Sequence, residues 1–183
     1  MSGSTPREAA EHTLRRLQVA LSCVTRDVLC VSEAGYSDTS RVHVIHVNRG
    51  NPVPLQARRG SRRLNLGIKV QYRFTRTGSR ADWRASAAAY MYTIETNDGR
   101  EVIAYHWHPD GQSPMTSPHV HLGSTVLASD GVLGHRSHVP TGRVPLQQVI
   151  RLAVTELGAK PLRPDWSDVL DQTEQEFQIE RAW

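Results

Sequence analysis

Four histidines stand as two identical pairs, His106-Trp107-His108 and His119-Val120-His121, on either side of a loop rich in Pro, Gly and Ser. In an extended strand, side chains at i and i+2 point to one face, about 7 Å apart. Two such pairs on neighbouring strands would put four imidazoles on one surface. Neutral imidazole nitrogen binds zinc, iron, nickel or copper well, whereas an all-nitrogen set suits calcium and magnesium poorly. His106, His108, His119 and His121 are therefore candidate ligands for zinc or another transition metal. Three of them plus water would leave the open position that metal-assisted hydrolysis requires, and four would look structural or redox-related. Asp110 is the nearest acid suited to support a ligand ring from behind.

The same residues support a metal-free alternative. Histidine titrates near neutrality, so one ring can take a proton while another gives one. In a ribonuclease or phosphodiesterase, His106 and His119 would be the catalytic base and acid, with His108 and His121 orienting them. A third reading makes the protein a non-enzymatic module that binds nucleic acid or protein. His135 and His138 lie in a Gly-rich connection and could supplement a metal site. His43 and His46 fall on opposite strand faces, and His12 belongs to the first helix.

Charge is unevenly placed. The net formal charge is +4, yet residues 41–84 hold eleven Arg or Lys and one acid, Asp82. The rest of the chain is net acidic, much of it from Asp165 to Glu180. Arg58, Arg59, Arg62, Arg63, Lys69 and Arg73 are the candidate contacts for phosphate, RNA or another polyanion. The acidic end is an equally physical partner for them, within one chain or in a homo-oligomer.

Other signals are missing. The chain has no phosphate-loop or dinucleotide glycine pattern, so no nucleotide cofactor is expected, and it has no CxxC pair. Cys23 and Cys30 make no disulfide framework, no apolar run approaches 18 residues, and the first residues show no secretory pattern. A cytoplasmic protein without membrane partners is the expectation. At 183 residues and 20.5 kDa, with mean hydropathy −0.46, one soluble domain over 1–183 is expected.

The elements that would carry the histidines follow from periodicity. Thr5 is a plausible N-cap, Pro6 fits the first helical position, and Ala10, Leu14, Leu17 and Leu21 form an apolar helical stripe ending between Ser22 and Arg26. Val28–Val31 fits a strand or a last helical turn. Val42–Val47 is a short strand, and an Arg-, Gly- and Pro-rich loop runs from Arg49 to Arg63. Leu66, Ile68, Val70, Tyr72 and Phe74 then alternate with polar residues, a half-buried strand with a basic outer face. Thr75–Asp82 breaks the pattern.

Ala85–Thr96 and Glu101–His108 form a hairpin about Asp98-Gly99. A two-residue turn there sets Asn97 opposite Arg100, Met91 opposite His106 and Ala89 opposite His108. Ala85, Ala87 and Ala89 then share the histidine face, Tyr105 takes the other, and Trp107 belongs to the core. A strand from His119 to about Leu127 comes next. Leu146, Val149, Ile150, Ala153, Val154 and Leu157 mark a helix stopped by Gly158. A last helix starts near Asp165, anchored by Trp166, Val169, Leu170, Phe177 and Ile179. The expected class is α+β: a meandering, mostly antiparallel sheet with one N-terminal and two C-terminal helices.

The order Asp98-Gly99, strand, His106-x-His108, loop, Pro118-His119-Val120-His121-Leu122-Gly123 and a short helix resembles a family of small uncharacterised bacterial proteins sometimes encoded with toxin–antitoxin systems. The resemblance covers roughly residues 85–157 and implies a ribonuclease-toxin or defence-related role.

Overall fold

The computed structural model describes residues 3–77, 82–111, 113–135 and 137–180. Helix α1 spans Pro6–Leu21, and the Thr5 hydroxyl accepts from the Glu8 N–H at 3.2 Å. The Glu8 carboxylate in turn accepts from the Ser4 N–H and hydroxyl, so both partners lie at the first turn, where free donors need them. Ala10, Leu17 and Leu21 are buried and Leu14 packs at the edge, as the stripe requires.

Among the described residues eight strands follow: β1 Leu29–Val31, β2 His43–Val47, β3 Val53–Leu55, β4 Leu64–Thr77, β5 Asp82–Thr96, β6 Glu101–Trp107, β7 His119–Leu122 and β8 Val139–Pro140. They form one antiparallel sheet in the order β1-β2-β4-β5-β6-β7-β8, with β3 also paired to β4. Helices α2 (Leu146–Thr155) and α3 (Trp166–Glu180) close the chain. Helices α1 and α2 pack on β5, and α3 packs on α1 and α2. The helix layer covers one sheet face, where Leu66, Ile68, Val70, Tyr72, Tyr92 and Ile94 meet Leu17, Leu21, Ile150 and Leu170 in the core. The α+β architecture with one leading and two trailing helices is as expected. No helix among the described residues is long and apolar enough to cross a membrane.

Several local expectations need correction. The span from Arg49 to Arg63 is not all loop, because Val53 and Leu55 bury their side chains and pair with β4. Strand β4 runs beyond Phe74 to Thr77, and β5 begins at Asp82 rather than Ala85, since the ladder continues through Arg76↔Trp83. Gly78, expected to break the pattern, lies outside the described residues, as do the side chains of Phe177 and Ile179. Strand β7 stops at Leu122 instead of reaching Leu127. Gly123 sits so close to the Glu101 carbonyl that a Cβ would overlap it, and the chain turns away there.

Candidate metal centre

The histidine pairs sit where the hairpin register puts them. Met91 pairs with His106, and Tyr92 with Tyr105, as a two-residue turn would dictate. The turn itself is different. The Thr96 N–H donates to the Arg100 carbonyl, Gly99 has φ +79°, and Glu95 pairs with Glu101. Asn97-Asp98-Gly99 is thus a three-residue connection with glycine in the left-handed position. A bulge at Val102 then absorbs one extra residue, because Ile94 pairs with Ile103. The two departures cancel, and the ladder regains the expected phase before it reaches the histidines.

A second bulge corrects the alanine face. Gln71 pairs with Ala89 but Tyr72 pairs with Ala87, leaving Ala88 as the extra residue. Side-chain parity reverses there, so Ala85 and Ala87 join the helix-covered face beside Phe74 and Tyr72. Ala89 alone of the three stays with the histidines.

On the outer face, His106 and His119 are direct cross-strand partners. Continuing across the sheet, Cys30, His46, Lys69, Met91, His106, His119 and Pro140 occupy one transverse row. His121 pairs with Ala104, whose small side chain leaves space between the rings. Centroids of the His106, His119 and His121 rings lie 4.8–5.6 Å apart. One nitrogen from each lies within 4.8 Å of the others. Zinc, with Zn–N bonds of about 2.0–2.1 Å, holds tetrahedral donors roughly 3.4 Å apart, so modest ring rotations would close the set.

Two of these rings each bury a nitrogen away from both water and any hydrogen-bond partner. His106 Nε2 and His119 Nε2 are both buried and unpartnered. An orphaned buried polar atom costs about 1–3 kcal/mol, so two in adjacent rings form an expensive arrangement unless something binds them. The tautomer of His119 is also set. Its Nδ1 lies 2.8 Å from the Ser117 carbonyl, which can only accept, so Nδ1 carries the proton and Nε2 keeps its lone pair free for a ligand. Burial, reinforced by the neighbouring histidines, pushes His106 down to about 4. Burial also lowers His119, and burial with the adjacent His138 ring lowers His121. All three are neutral at pH 7, the form a metal needs.

His108 and His138 flank this trio. The His108 ring is 5.1 Å from His119 and 6.0 Å from His106, outside the tight nitrogen group. His138 is exposed, with its ring 4.5 Å from His121 and 4.9 Å from His119. Its position follows from β8: His119↔Pro140 and Val120↔Val139 make His138 the next residue in register with His121. The only sequence signal for β8 is the lone β-branched Val139 before proline, too short to read as a strand. His135 is exposed and meets the cluster through a backbone hydrogen bond to the His121 ring. His43 is buried on the opposite face, its Nε2 donating to the Asp38 carbonyl at 2.6 Å. His46 is on the histidine face but beyond Lys69 and Met91 in the row.

Asp110 pairs with an arginine, and none of its described hydrogen bonds goes to a histidine ring. Its carboxylate lies 2.9 Å from the Arg73 guanidinium on β4. This pair ties the β6–β7 loop across β5, while the Ser117 carbonyl does the orienting work for His119. Trp107 is buried, with the Arg143 guanidinium 3.9 Å over its ring.

The basic block is divided by the fold. Lys69 and Arg73 are exposed on the histidine face of β4. Arg58, Arg59, Arg62 and Arg63 are exposed in the β3–β4 loop, roughly 17 Å along β4 from Lys69. Arg62 lines a separate cavity of about 330 Å³ with Leu64, Val102, Glu156 and Leu157. The acidic helix α3 does not neutralise either group among the described contacts. Asp171 instead pairs with Arg151 at 2.6 Å, and Asp165 with Arg163.

Comparison with known proteins finds no matching family model, no similar curated protein and no similar solved structure.

Proposed function

We propose that this protein binds a transition metal, zinc foremost, through His106, His119 and His121, and that the centre is built for metal-assisted hydrolysis. The observation that carries this is the pair of buried, unpartnered Nε2 atoms on His106 and His119, in rings that with His121 each bring a nitrogen within 4.8 Å of the others. Three neutral imidazoles match the donor preference of zinc and its neighbours. No carboxylate belongs to the donor group among the described residues, which argues against a two-histidine, one-carboxylate iron site. His138 stands at the solvent side, where it can serve as a fourth ligand or yield to water. A zinc ion in such a set lowers the pKa of bound water to about 7 and supplies a nucleophile.

The metal-free acid–base reading draws less support. It needs one ring charged at neutral pH, and burial lowers both His106 and His119 away from that form. Lys69 and Arg73 favour an anionic substrate under either reading.

Elemental analysis of untagged protein tests the proposal. About one equivalent of zinc or a related metal, lost in the His106→Ala/His119→Ala double variant, is the expected result. A metal-free protein that takes up none on titration would overturn it.

A further inference from the structure

Beside His106 the outer face is hollow. A cavity of about 160 Å³ is lined by Lys69, Gln71, Ala89, Met91, His106 and His108, together with Tyr90 and Trp107, and His106 is the one proposed metal ligand that reaches it. Two cross-strand rows make it. Lys69, Met91 and His106 form one, and Gln71 with Ala89 leads toward His108 in the next. Ala89 is the short member between longer polar neighbours, and its missing side-chain volume opens the space. Strand spacing of about 4.8 Å puts the Lys69 Cα roughly 9.6 Å from that of His106, within reach of a bridging group of a few atoms.

The chemistry of the walls is one-sided. The lining residues include a lysine, a glutamine and two histidines, and no aspartate or glutamate. Asp110, two residues after His108, is engaged by Arg73. Lys69 has no ion pair among the described residues. A metal held by three neutral imidazoles keeps its full positive charge, so its exchangeable ligand is favoured to be an anion. The volume is that of about five liquid waters and well below the usual range for drug-sized ligands, about 300–1,000 Å³.

We infer that this cavity binds the phosphate group of a phosphate ester, with one oxygen toward the metal and the others toward Lys69 Nζ and the Gln71 amide. The inference rests on the metal-centre reading and names its ligand class. A tetrahedral oxyanion has enough oxygens to serve all three partners at once, which a carboxylate does not. The hollow accommodates the phosphate group, and the exposed face running on to Arg73 leaves the ester substituent outside.

Cobalt(II)-loaded protein gives the test, because its visible spectrum reports ligands entering the metal's coordination sphere. Metal content is measured first. Inorganic phosphate is then titrated at constant ionic strength, with acetate as the carboxylate comparison. Phosphate should perturb the spectrum saturably and at least tenfold more tightly than acetate. Lys69→Met should weaken phosphate at least tenfold with metal content unchanged, and Ala89→Leu should do the same by filling the hollow. A loaded protein whose spectrum ignores phosphate, or a Lys69→Met variant that binds it as the parent does, would overturn the phosphate pocket alone. Equal affinity for acetate would overturn the phosphate assignment. Failure to take up cobalt would strike the metal centre itself, and the pocket's role with it.

Discussion

His106 and His119 face each other directly across the β6–β7 pair, their ring centroids 5.6 Å apart, and each buries its Nε2 without a partner. A sheet built only for stability would place apolar side chains there, because each orphaned nitrogen works against folding. The arrangement makes sense as a receptor for something that binds lone pairs.

Zinc should therefore stabilise the fold. At a free concentration one hundred times its dissociation constant, a single-site ligand adds about 2.7 kcal/mol. For a domain of this size that corresponds to a rise in Tm of roughly 5–10 °C. Thermal denaturation with and without zinc measures it. The His106→Ala/His119→Ala variant should show no rise.

The metal-free protein should lose stability in mild acid. The sign follows from linkage: His106 titrates near 4 in the fold and near 6.5 when unfolded, so the unfolded chain binds the extra proton first. No penalty exists above pH 6.5; it grows as pH falls toward 4 and is constant below. His106 alone should cost about 2–3 kcal/mol by pH 4, with His119 and His121 adding in the same direction. Urea midpoints between pH 4 and 8 record the slope, which His106→Phe should flatten.

Asp110→Asn should leave metal affinity within about threefold of the parent. A residue that orients a ligand costs roughly 10–100-fold when lost, but this carboxylate serves Arg73. The exposed pair should contribute no more than about 1 kcal/mol to stability. Competition with a chromophoric chelator, alongside chemical denaturation, separates the two effects.

Gly123→Ala should be costly although the added group is one methyl. Its Cβ would meet the Glu101 carbonyl, and β7 carries two of the three ligands. A loss of about 2–3 kcal/mol is expected from such overpacking, together with weaker metal binding. Denaturation midpoint and metal titration on the same sample check both.

The histidine face was legible in the sequence because two His-x-His pairs share strand periodicity and Asp98-Gly99 marks a hairpin. The register was right for an incomplete reason: a three-residue turn and the Val102 bulge each shift the ladder by one, in opposing senses. Bulges depend on local packing that alternation does not encode, so the Ala88 bulge misplaced Ala85 and Ala87. Strands β3 and β8 escaped notice because two or three residues are too few to show a period, and proline inside each argues against a strand. The sequence offers both His135 and His138 as supplements to a metal site, and the β7–β8 register is what brings His138 beside His121. Asp110 pairs with Arg73 instead, a partner thirty-seven residues away that closeness in sequence to the histidines does not reveal.

X-ray absorption at the zinc edge of the loaded protein tests the centre most directly. The first shell should contain three or four nitrogens at about 2.0–2.1 Å with the outer-shell scattering of imidazole rings, reduced in His106→Ala. A shell of oxygens without imidazole scattering, or sulfur at about 2.3 Å from Cys23 or Cys30, would contradict it.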